Sequence, residues 1–326
     1  MNSLKISVAQ FEPKDGDKSV NLVVMEDLVR RAKQEGAEVI SFHELCTTGY
    51  TFLKDLDENK IDQLAEAIYP VGEFPQGEPG GATIERLTAL ANVYDIVILA
   101  GVLEKECGKY YNTYVAVDKT GLVAKHRKLH PFISTYLSAG DSYTTFDIKG
   151  WKGGILICYD NNIIENVRAT SLLGAEIIFA PHVTGCTPSS MPGRGYVADE
   201  FWQARHTDPE PLRQEFQGPK HRGWLMRWLP ARAYDNGVYY AFSNPIGYDG
   251  EHLKGGNAMI LDPYGELLAE SNSFEADIAT AELTRSKLTE AGGYRYRNAR
   301  RPELYRKILG AGHEANTTPY WMKEKT

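Results

Sequence analysis

Two short, unbroken apolar runs constrain this chain more than any other feature. Each opens on Gly-Ala-Glu and closes on a polar side chain. The first is Gly36-Ala37-Glu38-Val39-Ile40-Ser41-Phe42-His43-Glu44, and the second is Gly174-Ala175-Glu176-Ile177-Ile178-Phe179-Ala180-Pro181-His182. A strand that is apolar on both faces must be covered on both faces, as in a parallel sheet packed under helices. Ahead of the first run, residues 4–11 read as a strand. Leu22, Met25, Leu28, Val29 and Ala32 then recur at helical spacing, and Gly36 ends the helix. Ahead of the second, Gly154-Ile155-Leu156-Ile157 reads as a strand, and a helical pattern follows through about Leu173. Two strand–helix–strand units imply an α/β core built from two related halves, although ordinary helix-to-strand grammar gives the same short match. If the halves are related, Glu44 and His182 occupy equivalent strand ends, at the rim where α/β folds collect ligands.

The remaining pattern extends this core. Residues 81–94 predict a second amphipathic helix and residues 96–103 a strand. Residues 110–117 and 122–127 flank the hairpin turn Asp118-Lys119-Thr120-Gly121, and another hairpin turn lies near residues 149–152. Residues 224–236 predict one helix with a left-handed cap at Asn236-Gly237, followed by strands over 238–244, 257–261 and 267–270. The stretch from about 184 to 222 is polar and rich in Gly and Pro, the composition of a lid or insertion. It follows the strand that ends in His182, so it is expected to fold over a pocket there. The expected organisation is one domain over residues 1–300 with that insertion. A tail over residues 301–326, polar and without periodicity, is expected to make oligomer contacts or to be disordered.

The 326 residues are 42% hydrophobic, enough for a large core, and carry a net charge of −7. An acidic chain with dispersed Lys and Arg argues against nucleic acid as a partner, and Lys125-His126-Arg127-Lys128 is too short to be a binding stripe. No stretch approaches the ~20 apolar residues of a membrane span, and no long apolar signal segment opens the chain. Cys46, Cys107, Cys158 and Cys186 sit at unrelated spacings, without a disulfide or metal pattern, which places the chain in a reducing cytoplasm. His43, His126, His130 and His182 form no tight ligand motif. The aromatic residues Trp224, Trp228, Tyr234, Tyr239 and Tyr240 read as core or dimer contacts.

Three residues stand out for chemistry. Cys158 lies between an apolar strand and a helix, where helix N-terminal amides favour a thiolate and could bind an oxyanion. A lone cysteine in such a place is more commonly a small buried hydrophobe. Glu44 ends its strand as a potential proton shuttle, provided that burial raises its pKa. Lys128 ends the strand over 122–127 and in a closed site would face a developing negative charge. Alone, each reads equally as a surface or structural residue.

Acid, lysine and cysteine, each at a C-terminal strand end and in that chain order, resemble the nitrilase, or carbon–nitrogen hydrolase, superfamily. The resemblance rests on the Glu44 segment, His126-Arg127-Lys128-Leu129-His130, Gly154-Ile155-Leu156-Ile157-Cys158-Tyr159-Asp160, Pro230-Ala231-Arg232-Ala233-Tyr234-Asp235-Asn236 and Asn257-Ala258-Met259-Ile260-Leu261-Asp262-Pro263-Tyr264-Gly265. It implies a four-layer α-β-β-α sandwich and a Glu44–Lys128–Cys158 triad that needs no metal or cofactor. The implied chemistry cleaves a non-peptide C–N bond of a small amide, ureide or nitrile through a covalent thioester. It further implies a homodimer formed through helices next to the nucleophile, or a larger homo-oligomer. Tyr159, Asn161 and His182 are the expected substrate-binding residues.

Departures narrow the expectation. The loop Pro131-Phe132-Ile133-Ser134-Thr135-Tyr136-Leu137-Ser138-Ala139-Gly140 lacks the second glutamate that many members carry. A Ser, Thr or Tyr hydroxyl, or an acid from elsewhere such as Asp199 or Glu200, is expected in its place. Asn161 and Asn162 stand where some carbamoylases have an arginine. The leading expectation is an amidase-type hydrolase acting on a small linear amide or N-carbamoyl compound and releasing ammonia. The competing ones are a true nitrilase and a non-catalytic scaffold that keeps the fold.

Overall fold

Strands apolar on both faces receive cover from both sides. The computed structural model describes residues 2–70, 81–187 and 193–314. Its strands are β1 (Ser3–Gln10), β2 (Val39–Ser41), β3 (Val97–Glu106), β4 (Lys109–Asp118), β5 (Gly121–Arg127), β6 (Thr144–Ile148), β7 (Trp151–Ile155), β8 (Ile177–Pro181), β9 (Tyr239–Ser243), β10 (Ile246–Asp249), β11 (His252–Gly255), β12 (Met259–Leu261), β13 (Leu267–Glu270) and β14 (Asp277–Thr284). They form two six-stranded sheets, ordered β14-β1-β2-β3-β4-β5 and β13-β12-β9-β8-β7-β6, and a separate β10–β11 hairpin. In the first sheet β1, β2 and β3 are parallel, and in the second β7, β8 and β9 are parallel. The flanking strands are antiparallel.

Strand alternation sorts the apolar side chains into layers. Leu4, Ile6, Val8, Val39, Val97 and Leu99 meet Phe146, Trp151, Ile155, Ile177, Phe179 and Tyr239 between the sheets. On the outer face of the first sheet, Ile40, Ile98, Ala100 and Val102 pack under Met25, Leu28 and Val29 of the Lys18–Gln34 helix and Ile84 and Leu87 of the Ala82–Tyr94 helix. Outside the second, Ile178, Ala180, Tyr240 and Phe242 pack under Val167 of the Ile164–Leu172 helix and Leu229 and Ala233 of the Leu229–Asn236 helix. This is the α-β-β-α sandwich. The two apolar runs are β2 and β8, each the middle of a parallel trio, so Glu44 and His182 follow equivalent strands.

Several elements differ from the sequence expectation. The helix expected over 224–236 is two helices, Arg222–Leu225 and Leu229–Asn236, because Pro230 sits in the first turn of the second and cannot continue an earlier one. Gly237 does supply the left-handed cap, with φ +59°. The strand β14 was not expected: its Ala, Thr and Glu residues carry a weak apolar signal, yet it pairs with β1 over eight residues. Within the 184–222 insertion lie helices Asp199–Gln203 and Glu210–Gln217. Trp202, Leu212 and Phe216 from them pack with Ile246 and Leu253 of the β10–β11 hairpin. In the 301–326 tail, Pro302–Leu309 is helical with no buried residue, a periodicity that Pro302 starts and Gly310 ends. Positions 188–192 of the insertion and 315–326 of the tail lie outside the described residues.

Two predictions follow from this packing. A methyl group on Gly101 in β3 would lie 2.1 Å from the Leu45 amide nitrogen and 2.8 Å from the Glu44 carbonyl carbon. Gly101→Ala should therefore lose about 3 kcal/mol of stability, read as a lowered urea midpoint; an unshifted midpoint would remove this close approach as a constraint. Burial holds the imidazole pKa values of His43 and His126 down to about 4, and those of His182 and His221 to about 3. The unfolded chain binds these protons from about pH 6.5 downwards, so the stability contribution is complete above that pH and is lost as pH falls through the folded values. Each imidazole contributes about 1.4 kcal/mol per pH unit inside that window. Urea midpoints should fall clearly between pH 7.5 and pH 5, and equal midpoints would contradict buried neutral imidazoles.

Candidate active site

The C-terminal ends of β2, β5 and β7 bring Glu44, Lys128 and Cys158 to one place. Glu44 lies three residues past β2, fully buried. Its Oε1 accepts from Lys128 Nζ at 2.5 Å and from Asn112 Nδ2 at 2.6 Å. Lys128 directly follows β5 and is anchored on both sides: its amide donates to the Asn112 carbonyl at 2.8 Å, and its carbonyl accepts from the Gly140 amide at 2.8 Å. Its ammonium lies 5.0 Å from the Tyr50 ring centre and 4.9 Å from that of Phe132, and it donates to the Tyr50 hydroxyl at 3.4 Å. Both Glu44 and Lys128 act electrostatically on the Cys158 sulfur, which lies 4.0 Å from the Val183 carbonyl oxygen just beyond β8.

Cys158 has φ +48°, a left-handed conformation that costs a non-glycine residue about 1–3 kcal/mol. The surrounding bonds hold it there. The buried Asp160 carboxylate accepts from the amides of Leu129 at 3.1 Å, His130 at 2.9 Å and Ile157 at 3.3 Å, and from His130 Nδ1 at 2.8 Å. One carboxylate thus ties the segment after Lys128 to the segment before Cys158. Asp160 stands in the Cys158 motif, but the sequence offered no sign of this role, because three of its four donors belong to Leu129 and His130 on a distant segment.

Electrostatics set the protonation states. Burial raises the Glu44 pKa above the ordinary carboxylate value, with Lys128 and Asn112 pulling the other way. For Lys128 burial opposes the charge, but the Glu44 carboxylate beside it outweighs that and holds the ammonium well above its usual value. Burial and the Glu44 carboxylate push the Cys158 thiol up to about 12, against Lys128. This corrects the expectation of a resting thiolate favoured by helix amides: desolvation wins, and the sulfur rests as a thiol. Tyr50, raised well above 10 by burial, stays a phenol.

The expected substrate-binding residues separate. Tyr159 is part-exposed and packs edge-on against Phe132, which in turn meets Tyr50 edge-on, so Tyr159 backs the two rings that wall the lysine. His182 is buried against Phe242 and Trp228. Its Nδ1 meets the Ala180 carbonyl at 2.9 Å, and its Nε2 has no partner among the described residues. Asn161 corrects the expectation. Its amide nitrogen donates to the carbonyls of Leu156 at 2.7 Å and Cys158 at 3.2 Å, and its Oδ1 accepts from the Tyr240 hydroxyl, so its polar atoms are used in holding the turn. Asp199 and Glu200 are exposed, and Asp199 accepts from the Tyr248 hydroxyl at 2.8 Å, so neither acid stands in for a second glutamate. On the loop after Lys128 the ring of Phe132 lies against the ammonium instead. Tyr50, on a different loop, supplies the hydroxyl. Among the described residues, no group of three or more His, Cys, Asp or Glu side chains is placed to hold a metal ion. None of the described helices is long and apolar enough to cross a membrane.

Several known proteins are similar to this chain. The chain is 28% identical over 320 residues to an omega-amidase of Xenopus laevis, covering 94% of this chain and 98% of that one. It is 26% identical over 283 residues to a nitrilase of Pyrococcus abyssi, covering 86% and 89%. It is also 26% identical over 275 residues to an (R)-stereoselective amidase of a Pseudomonas species, covering 83% and 82%. In fold it matches a double mutant of the amidase of Nesterenkonia sp. AN1 in complex with acrylamide, with a TM-score of 0.68 at 20% identity, covering 94% of this chain and 97% of that one. The carbon–nitrogen hydrolase family model matches residues 5–292. The chain therefore belongs to the carbon–nitrogen hydrolase family and is a carbon–nitrogen hydrolase.

Proposed function

We propose that this hydrolase is an amidase that cleaves a small linear amide or N-carbamoyl compound and releases ammonia through a thioester on Cys158. The observation that carries the reading is the fully buried Glu44–Lys128 pair acting on a sulfur held at a strained turn. Because the thiol rests protonated, attack requires a base. Glu44, its pKa raised by burial, takes the thiol proton as sulfur adds to the carbonyl carbon. The Lys128 ammonium faces the negative charge that develops on oxygen. When the C–N bond breaks, Glu44 returns that proton to the leaving nitrogen. A water then attacks the thioester, giving one proton to Glu44. That proton passes to sulfur as the C–S bond breaks and the acid leaves.

Support comes from the relatives named as amidases and from a glutamate-to-glutamine mutant of the Nesterenkonia amidase, in which the acetamide moiety of fluoroacetamide adds covalently at the active-site cysteine. A homodimer or larger assembly, as the resemblance implies, belongs to the same proposal.

Cys158→Ala should release no ammonia from an amide panel. Exposed Cys107 confounds general thiol labelling, so trapping is best read in a Cys107→Ser, Glu44→Gln background, where fluoroacetamide should modify Cys158 ahead of buried Cys46 and Cys186. Glu44→Gln should lower kcat by roughly 10²–10⁴-fold. In the parent enzyme kcat/KM should fall on the acid side at a pH above the ordinary carboxylate range, as the raised Glu44 group takes up its proton. Turnover surviving Cys158→Ala, or faster acid formation from a nitrile than from its matched amide, would reject the amidase reading. Asp160→Asn places an NH2 group where backbone amides now donate. It should lower kcat by roughly 100-fold through misplacement of Cys158 and Lys128. Unchanged turnover in that variant would show that the staple is dispensable.

A further inference from the structure

The two oxygens of the buried Glu44 carboxylate stand in different surroundings. Oε1 accepts from Lys128 Nζ at 2.5 Å and from Asn112 Nδ2 at 2.6 Å. Oε2 is buried as well but has no hydrogen-bond partner among the described residues. A buried oxygen without a donor is rare in a folded chain and asks for a reason. Each carboxylate oxygen offers two lone-pair sites, so two N–H donors fill Oε1. A proton arriving there would have to displace one of them, whereas both sites of Oε2 are open. The Cys158 thiol is within hydrogen-bonding influence of this carboxylate, and each group shifts the other's hold on its proton. The oxygen free to take the thiol proton is therefore Oε2.

Nothing in a carboxylate itself distinguishes its oxygens. The terminal torsion of a glutamate is broad, and a half-turn exchanges the two. Lys128 alone would serve either oxygen, because its ammonium carries three N–H donors on a flexible stem. Asn112 is held more firmly. It is 1% exposed, sits opposite Leu103 in the β3–β4 ladder, and accepts the Lys128 amide on its carbonyl at 2.8 Å. Its side-chain N–H thus reaches Oε1 from a fixed strand. Being neutral, it orients the carboxylate without a second cation.

We propose that Asn112 is a positioning residue: it pins Glu44 Oε1 and so commits Oε2 to carrying protons between sulfur, leaving nitrogen and water. The proposal rests on the amidase reading and deepens it by assigning the proton path to one atom. Asn112 acts through Glu44 and takes no part in bond making.

Two rates, each followed against pH, test this in Cys107→Ser protein: amide turnover, and alkylation of Cys158 by iodoacetamide. In the alkylation an S–C bond forms, iodide leaves and the thiol proton passes to Glu44. Both rates fall on the acid side as Glu44 takes up its own proton. The Asn112 hydrogen bond lowers the Glu44 pKa. Asn112→Leu should therefore move the acid limb of both profiles to higher pH, with kcat lowered roughly 100-fold and KM little changed. Asn112→Asp keeps the shape, but its new carboxyl can donate to Oε1 only while protonated. That variant should work while the two carboxyls share one proton and fail as pH rises and the second proton leaves, adding a limb that the parent lacks. An acid limb left in place by Asn112→Leu, with only the amplitude reduced, would assign the residue a merely structural role and overturn the proposal. So would an Asn112→Asp profile without the added limb, which decides alone if the leucine variant does not fold. Alkylation limbs that move as expected while no amide is hydrolysed support the positioning role and sink only the amidase reading. Amide turnover with unmoved limbs does the reverse.

Discussion

An ammonium and a carboxylate held 2.5 Å apart with no access to water impose the central constraint on this fold. Neither charge would be tolerable alone at that depth, because desolvating an ion costs several kcal/mol unless a partner repays it. The sheet that carries Glu44 and the strand that carries Lys128 must therefore end together. Asn112 serves both, giving its amide group to Glu44 and its carbonyl to the Lys128 backbone. Tyr50 and Phe132 wall the ammonium with rings, so that its positive charge meets aromatic faces where water would otherwise enter. Placing a thiol beside this pair creates a sulfur that is protonated at rest and has a base at hand.

The two sheets put this chemistry between them without repeating it. The strands β2 and β8 hold the same place in their sheets, yet one is followed by an acid that pairs with lysine and the other by a neutral imidazole. A polar bond also crosses between the sheets close to the site: the Ser243 hydroxyl of β9 donates to the Ser41 carbonyl of β2 at 2.8 Å, while Tyr114, in the same sheet as Ser41, bonds its Oγ at 2.9 Å. The crossing bond fixes the spacing of the two layers where Glu44 and Cys158 face each other. Asp160 adds the last link, joining the loops of Lys128 and Cys158 through four donors. The β10–β11 hairpin closes another side, with Asp249 holding the Tyr50 loop through the Tyr50 and Thr51 amides.

How much of this was legible depended on whether a signal was local. The parallel strands announced themselves through unbroken apolar runs, and their order with the intervening helices implied a core of two halves, while the sandwich came from the family resemblance. Glu44, Lys128 and Cys158 could be picked out because each ends a strand. The edge strand β14 escaped notice, since an edge needs only backbone pairing and its side chains are weakly apolar. Pro230 divided a helix that periodicity alone had joined. Asn161 looked available for substrate because it follows the nucleophile, but three partners from the surrounding turn and β9 occupy it. Tyr50, Asn112 and Asp160 gave no local sign of their importance. Each matters through groups that are distant in the chain.

The chain's own pattern determined the layers, the parallel centres of the sheets and the positions at which polar side chains leave them. Periodicity and apolar content are local properties, and burial of a two-faced strand follows from them. Only the tertiary structure decided the protonation of the sulfur and the pairing of Lys128. Those depend on how much water each group loses and which charges remain within a few ångströms. Such quantities exist only once both sheets have closed on one another.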